Sequence, residues 1–460
     1  MHFEQFYLAC LSHASYLLGS EGEAAVVDPQ RDVAVYLEEA GKHYLRIRYI
    51  IETHLHRDFV SGHRELAEMT GAQIYVSHAA GAKFPHVAIR DGDELEFGRC
   101  RLKFLETPGH SLDSISILVA DLDRSEQPFA VLTGDTLFIG DVGRPDLARS
   151  HSAQELAALL YRSLFGKLLA LPDEVLVYPA HGAGSLCGRQ LGSARFSTIG
   201  AERTGNYALQ ARSEEDFVRL VTADLPERPA YFESDAEINR TGAPALSALP
   251  ALKALQPDEV RSAQRDGVVV LDTRPVAQFA AGHIPGSIHI ALDGQYASWA
   301  GILLGLEQPL VIVGEDRRRV EESRVRLARV GIEKVAGYLE DGFAAWARDR
   351  LPVAQVNQVA VQELGRLLQE DGDRLEVVDV RRPSEWQQGI IPRARLMPLD
   401  KLPSMLEDLD RNRTITAYCK SGYRSSIATS LMERAGFTDV VNVTGGMDAW
   451  RICGLPVACG

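Results

Sequence analysis

The chain has 460 residues, 45% of them hydrophobic and 24% charged, and carries a formal net charge of −14. That length exceeds one hydrophobic core and predicts two to four domains, while the composition is that of ordinary globular protein. The acidic balance argues against nucleic acid and anionic membrane as partners, because no basic cluster is large enough to meet phosphate. Met1 to Gly22 lacks a basic stretch followed by an apolar core, and no apolar run approaches the roughly 18 residues of a membrane span. Six cysteines without a framework spacing fit free thiols in a reducing compartment, so a cytoplasmic location is expected.

In chain order, strands are predicted at Ala24–Asp28, Tyr49–Glu52, Gln73–Val76, Leu102–Glu106, Ile115–Val119, Phe129–Thr133 and Val175–Pro179, alternating with helical stretches. Several of them end in a metal-capable residue. A connector punctuated by Pro and Gly follows from Leu225 to Pro250 and is predicted to be a linker.

The most informative segment is Thr53-His54-Leu55-His56-Arg57-Asp58-Phe59, an H-x-H-x-D-H pattern whose last histidine is replaced by Phe59. The intact pattern supplies ligands to two metal ions, and a phenyl ring ligates nothing. A single metal with open coordination positions is therefore expected, which points to redox chemistry more than to two-metal hydrolysis. Three further strand-end loops join it: Thr107-Pro108-Gly109-His110-Ser111, Gly134-Asp135-Thr136, and Tyr178-Pro179-Ala180-His181-Gly182. A charged loop, Gly143-Arg144-Pro145-Asp146, follows Asp135, and Cys187 lies on a Gly-rich stretch after His181.

With these motifs the chain, from its start to about residue 245, resembles the metallo-β-lactamase fold superfamily, an αββα sandwich, and within it the persulfide dioxygenases. The resemblance implies one Fe(II) per chain held by His54, His110 and Asp135, two histidines and one carboxylate. His56, Asp58 and His181 would then be supporting residues or relics of a second site. His56 stays open as a direct ligand, as in a zinc hydrolase of this fold. Arg144 and Asp146 are candidates to orient the organic part of a substrate by charge pairing. Cys187 is a candidate to accept or relay sulfur.

Past the connector the chain repeats itself. Val270-Leu271-Asp272-Thr273-Arg274 returns as Val377-Val378-Asp379-Val380-Arg381, and Ala345-Trp346 with Leu351-Pro352-Val353 returns as Ala449-Trp450 with Leu455-Pro456-Val457. Two tandem α/β domains with parallel sheets are expected, at 250–352 and 353–460, after a first domain at 1–245.

Within the last copy, Cys419-Lys420-Ser421-Gly422-Tyr423-Arg424-Ser425 lies between a β-like run, Arg413–Tyr418, and a helix-like one, Ser426–Gly436. A strand-to-helix loop can turn successive N–H groups onto the sulfur, while the helix dipole and Arg424 add positive potential. A free thiol is only a few per cent thiolate near pH 7, and lowering its pKa by ~2 units makes it mostly thiolate. Gly422 lets the backbone fold tightly around that atom.

Together with Asp379 and Gly445-Gly446 through Trp450, this loop resembles the rhodanese family of sulfurtransferases. The resemblance makes Cys419 the nucleophile, with Gly422, Arg424 and Ser425 forming its cradle. One departure is Ile390 and Arg393, where the family usually shows G-H-I-P-G. In the middle copy Gly314 stands opposite Cys419, followed by Glu315 and Asp316, so that copy is expected to be catalytically silent.

The combined expectation is a bifunctional sulfur-metabolism enzyme. Its first domain would oxidise a low-molecular-weight thiol persulfide, such as that of glutathione, coenzyme A or bacillithiol, to sulfite with O2. Cys419 would move sulfane sulfur between persulfide, sulfite and thiosulfate. The expected partners are these small molecules, with assembly into a homo-oligomer left open. Two rivals stand beside it: a zinc glyoxalase II-like thioester hydrolase with appended rhodanese domains, and a non-catalytic sulfur carrier.

Overall fold

The structure is a computed structural model describing residues 1–460 apart from 149, 190, 224, 226, 371–373 and 460. It divides into two compact units, Met1–Leu249 with Ala328–Gly331, and Pro250–Leu327 with Ile332–Gly460.

In the first unit two six-stranded sheets lie face to face. Alternating residues from each, among them Tyr16, Leu18 and Val27 from one sheet and Leu102, Phe104 and Ile117 from the other, form the buried layer between them. The outer face of the first sheet is covered through Tyr36, Ala40 and Leu66, and that of the second through Leu160, Leu164 and Phe217. That is the expected αββα sandwich. Strands appear at Glu23–Val27, Arg46–Ile51, Gln73–Ser77, Cys100–Glu106, Ile115–Asp121, Ala130–Gly134 and Leu176–Pro179, against the seven predicted. Strands His2–Leu8, His13–Ser20, Val87–Ile89 and Glu94–Phe97 were not predicted.

The predicted linker is a packed element instead. Tyr231–Thr241 is a helix with Tyr231, Phe232, Asp235 and Asn239 buried. Composition suggested a connector because Pro and Gly flank the helix, but its apolar and amide residues share one face.

In the second unit two five-stranded sheets have the same strand order. The first runs Ala254–Leu255, Val335–Leu339, Leu310–Val313, Val269–Asp272, Ile288–His289. The second runs Asn357–Ala360, Val440–Thr444, Thr414–Tyr418, Leu375–Asp379, Arg395–Leu396. Every pairing in both is parallel. The repeat extends to single bonds: Trp346 Nε1 donates to Pro352 O at 2.8 Å, and Trp450 Nε1 to Pro456 O at 2.8 Å.

Candidate metal centre and sulfur cradle

Strand ends build the candidate metal centre. Thr53-His54 follows Arg46–Ile51, His110 follows Cys100–Glu106, Asp135 follows Ala130–Gly134, and His181 follows Leu176–Pro179. Close approach requires glycine beside them, since a Cβ on Gly143 would sit 1.9 Å from Asp135 O and 2.9 Å from His110 Cβ. His54 Nε2 lies 3.7 Å from Asp135 Oδ2, and His110 Nε2 lies 3.3 Å from the same oxygen. Ligand atoms about 2.1 Å from one ion and at right angles to each other lie ~3.0 Å apart, so the three converge on a space of ion size. All three residues are buried, and among the described residues His54 Nε2 and Asp135 Oδ2 have no hydrogen-bond partner.

The outer bonds of the rings decide which nitrogen is bare. His110 Nδ1 lies 3.1 Å from Arg144 O. A carbonyl only accepts, so Nδ1 carries the proton and Nε2 offers its lone pair. Thr53 Oγ1 donates its hydrogen to Asp28 Oδ2 at 2.8 Å, leaving an oxygen lone pair to accept from His54 Nδ1 at 3.1 Å. His54 Nε2 is therefore the bare atom too.

The residues of the would-be second site contact neighbouring carboxylates. His181 is wedged between Asp135 Oδ1 at 2.7 Å and Asp58 Oδ2 at 2.9 Å. Burial disfavours its charge, but the two carboxylates outweigh that and hold its pKa well above the ordinary histidine value. His56 turns to Asp28 Oδ1 at 3.2 Å. Phe59, fully buried, packs its ring 4.4 Å from that of His56 and 4.1 Å from that of His13. His56, Asp58 and His181 still lie close enough to share an ion, as do Asp135, His181 and Cys187.

Arg144 and Asp146 are committed to each other, Nε to Oδ1 at 2.7 Å and Nη2 to Oδ2 at 2.9 Å. Arg144 is also buried, and its backbone N–H donates to Cys187 O at 3.0 Å. Its closest link to the centre is the carbonyl that orients His110. Cys187 is buried, and burial, with Asp58 and Asp135 adding, pushes its thiol well above the usual range.

Two residues escaped sequence reading. His13 is buried beside Phe59, and among the described residues neither of its ring nitrogens has a hydrogen-bond partner. Asn239 donates to His56 O at 2.8 Å and Phe59 O at 2.7 Å, and accepts from Ser61 N at 2.8 Å. It thereby pins the loop that carries His54 and His56. Asn239 sits in the misread helix, and a histidine inside a strand carries no local motif; a signal for either was lacking.

Around Cys419, Gly422 N donates to Sγ at 3.1 Å and Ser425 Oγ to Sγ at 3.5 Å. Gly422 has φ +106, a conformation that favours glycine. Beneath the loop, Met447 N donates to Cys419 O at 2.8 Å and Asp448 N to Lys420 O at 3.0 Å. Gly446 admits this approach, for its Cβ would meet Cys419 O at 2.4 Å. Arg424 is held by Glu385 through two bonds of 2.6 and 2.8 Å. Part of the positive potential expected at the sulfur is thus balanced by a carboxylate.

The metallo-beta-lactamase superfamily profile matches residues 8–181, and the rhodanese-like domain profile matches residues 256–349 and 360–453. The mitochondrial persulfide dioxygenase ETHE1 of Bos taurus is 34% identical over 215 residues, which are 45% of this chain and 75% of that protein. The chain belongs to the metallo-beta-lactamase superfamily, with two tandem rhodanese-like domains. A hydroxyacylglutathione hydrolase of Rhodopseudomonas palustris is 31% identical over 47% of this chain and 78% of its own length. A sulfurtransferase of Allochromatium vinosum is 35% identical over 22% of this chain and 94% of its own length. The crystal structure of a metallo-beta-lactamase from Staphylococcus aureus is similar over 74% of this chain and 98% of its own, at 33% identity and a TM-score of 0.67. Among the described residues, no helix is long and apolar enough to cross a membrane.

Proposed function

We propose that the chain is a bifunctional enzyme of sulfur metabolism: an iron-dependent persulfide dioxygenase with an attached sulfurtransferase centred on Cys419. The reading divides the chain at 1–245, 250–352 and 353–460. The observation that carries it is the convergence of His54 Nε2, His110 Nε2 and Asp135 Oδ2, with Phe59 standing where the motif's last histidine would serve a second ion. A set of two imidazoles and one carboxylate with open positions suits Fe(II), which when bound supplies binding places for a persulfide sulfur and O2 and the redox chemistry between them.

This chain's own residues do the rest. Arg144 O and Thr53 Oγ1 fix the tautomers of the two histidines. His181 neutralises the far oxygen of Asp135. Phe59 packs against the rings of His13 and His56 and offers no ligand to a second cation. The net reaction, R–S–S⁻ + O2 + H2O → R–SH + SO3²⁻ + H⁺, consumes a persulfide of a small thiol.

At Cys419 the thiolate attacks the outer sulfur of thiosulfate. The new bond is a cysteine persulfide, the leaving group is sulfite, and Gly422 N–H and Ser425 hold the sulfur. Run in reverse, the same step returns thiosulfate.

Similarity to the hydroxyacylglutathione hydrolase and the proximity of His56, Asp58 and His181 favour one alternative, a two-zinc thioester hydrolase. The deciding experiment is oxygen uptake by anaerobically prepared, iron-loaded protein on addition of glutathione persulfide. Uptake that disappears with His110→Ala is expected. No uptake with several thiol persulfides at about one iron per chain would transfer the case to thioester hydrolysis.

A further inference from the structure

The middle copy has no nucleophile, yet it holds the helix that begins at the cradle of Cys419. That helix, Tyr423–Arg434, packs on the strand Ile288–His289 of the middle copy. Tyr423 Oη donates to Ala291 O at 2.8 Å. The middle copy lies flat against the tyrosine ring at Gly294, where a Cβ would come within 2.7 Å of Tyr423 Cε2.

One turn on, Ser426 Oγ meets His289 Nδ1 at 2.8 Å. His289 Nε2 is 2.8 Å from Arg274 O, so the proton sits on Nε2 and Ser426 is the donor to Nδ1. Burial pushes His289 down to about 4, which keeps the ring neutral and this polarity fixed at neutral pH. His289 N also donates to Ser430 Oγ at 3.0 Å, His283 Nε2 lies 3.0 Å from Glu433 Oε2, and Arg434 donates to Gly286 O at 2.8 Å.

The order of these bonds along the chain is informative. Residues 422 and 425 touch the sulfur, while 423 and 426 are tied to the middle copy, so anchors and sulfur contacts alternate over four positions. Ser426, His289 and Ser430 are buried, where an unmade hydrogen bond costs more than it does in water. We infer that the silent copy is the positioning element of the sulfurtransferase: Ala291 and His289, acting through Tyr423 and Ser426, hold Gly422 N–H and Ser425 Oγ on the Cys419 sulfur. The intact Gly282-His283-Ile284-Pro285-Gly286 sequence of the silent copy fits this role, for its histidine grips the active helix, whereas the catalytic copy has Ile390 there.

The inference rests on Cys419 being the sulfur carrier, and the test separates the two. The full-length Tyr423→Phe/Ser426→Ala variant and the wild type are alkylated with iodoacetamide from pH 5 to 9. Modification of Cys419 is read by peptide mass spectrometry and the melting temperature by calorimetry. A loosened cradle holds the sulfur less well, so the alkylation rate of Cys419 at pH 6.5 falls roughly tenfold.

Arg434→Ala, which weakens the same interface three turns from the sulfur, leaves the curve in place. If the double variant fails to fold, Tyr423→Phe alone gives the same comparison with a smaller fall. Curves that superimpose on the wild type, or an equal fall in Arg434→Ala, overturn the inference. Wild-type protein that alkylates normally but exchanges no sulfur with thiosulfate would sink the carrier reading instead, with the positional comparison still readable.

Discussion

The two rhodanese-like copies share a scaffold and differ where chemistry would occur. In both, the arginine two residues after the strand closes on the aspartate at its end. Arg274 Nε reaches Asp272 Oδ1 at 2.9 Å and its Nη2 reaches Gly282 O at 2.9 Å; Arg381 repeats these contacts with Asp379 at 2.9 Å and Gly389 at 2.8 Å. At the cradle, by contrast, Gly314 replaces Cys419 and Val320 replaces Ser425. Arg319, opposite Arg424, pairs with Asp293 at 2.6 Å and Glu322 at 2.8 Å, while Gln278, opposite Glu385, binds Glu315 at 2.8 Å. The scaffold bonds are therefore common to both copies, whether or not a cysteine stands in the loop. What distinguishes the copy carrying Cys419 is a thiol, two donors and an arginine steered by a single carboxylate.

The sharpest break of the comparison is to remove the thiol by changing one atom. Cys419→Ser should abolish sulfur exchange between thiosulfate and cyanide while leaving persulfide-dependent oxygen uptake largely intact. Collapse of oxygen uptake in the same variant would refute the division of labour. Glu385→Gln imitates Gln278 and releases Arg424. Because each 1.4 kcal/mol is tenfold and the tether is a charge-assisted pair, KM for thiosulfate should rise roughly three- to tenfold, with a smaller change in kcat.

The same variant carries a pH signature. Burial works against ionised Glu385, but Arg424 outweighs it and holds its carboxyl below the ordinary 4.5. Its contribution to stability is complete above that value and is lost as pH falls through the lower folded-state value. Thermal melts of the wild type between pH 5 and 3 should therefore fall more steeply than those of Glu385→Gln. Parallel curves would show that the pair contributes nothing to folding.

Much of this could be read from the sequence, because the site residues follow strands that announce themselves by apolar runs. His54, His110, Asp135 and His181 each sit at such an end, and the cradle spacing from Cys419 to Arg424 is local. The rest depended on contacts distant in sequence. Asn239 supports the metal loop from 180 residues beyond Phe59. His289 grips Ser426 across 137 positions. Glu385, 39 residues before Arg424, decides where that arginine points. For Arg144 and Asp146 the sequence left two readings, a substrate contact or a salt bridge between them, and the fold turns the two charges on each other. Local pattern reveals which groups can react, and tertiary packing determines which of their charges stay free.

The smallest expected effect tests how much separates the copies. Restoring the nucleophile by Gly314→Cys should produce no measurable sulfur exchange in a Cys419→Ser background. A Cβ at Gly314 would lie 2.8 Å from Val320 Cγ2, so the thiol enters a space already filled and displaces a side chain that is buried. Overpacking of this kind costs typically 1–3 kcal/mol, and the melting temperature should drop by a few degrees. Even if the loop relaxed, Val320 offers no hydroxyl to the sulfur, and Arg319 is held by Asp293 and Glu322. Adding Val320→Ser and Gln278→Glu addresses those deficits in turn. Activity that appeared with Gly314→Cys alone would mean that the scaffold supplies the reactivity and the cradle residues refine it; activity that required all three would place catalysis in the cradle.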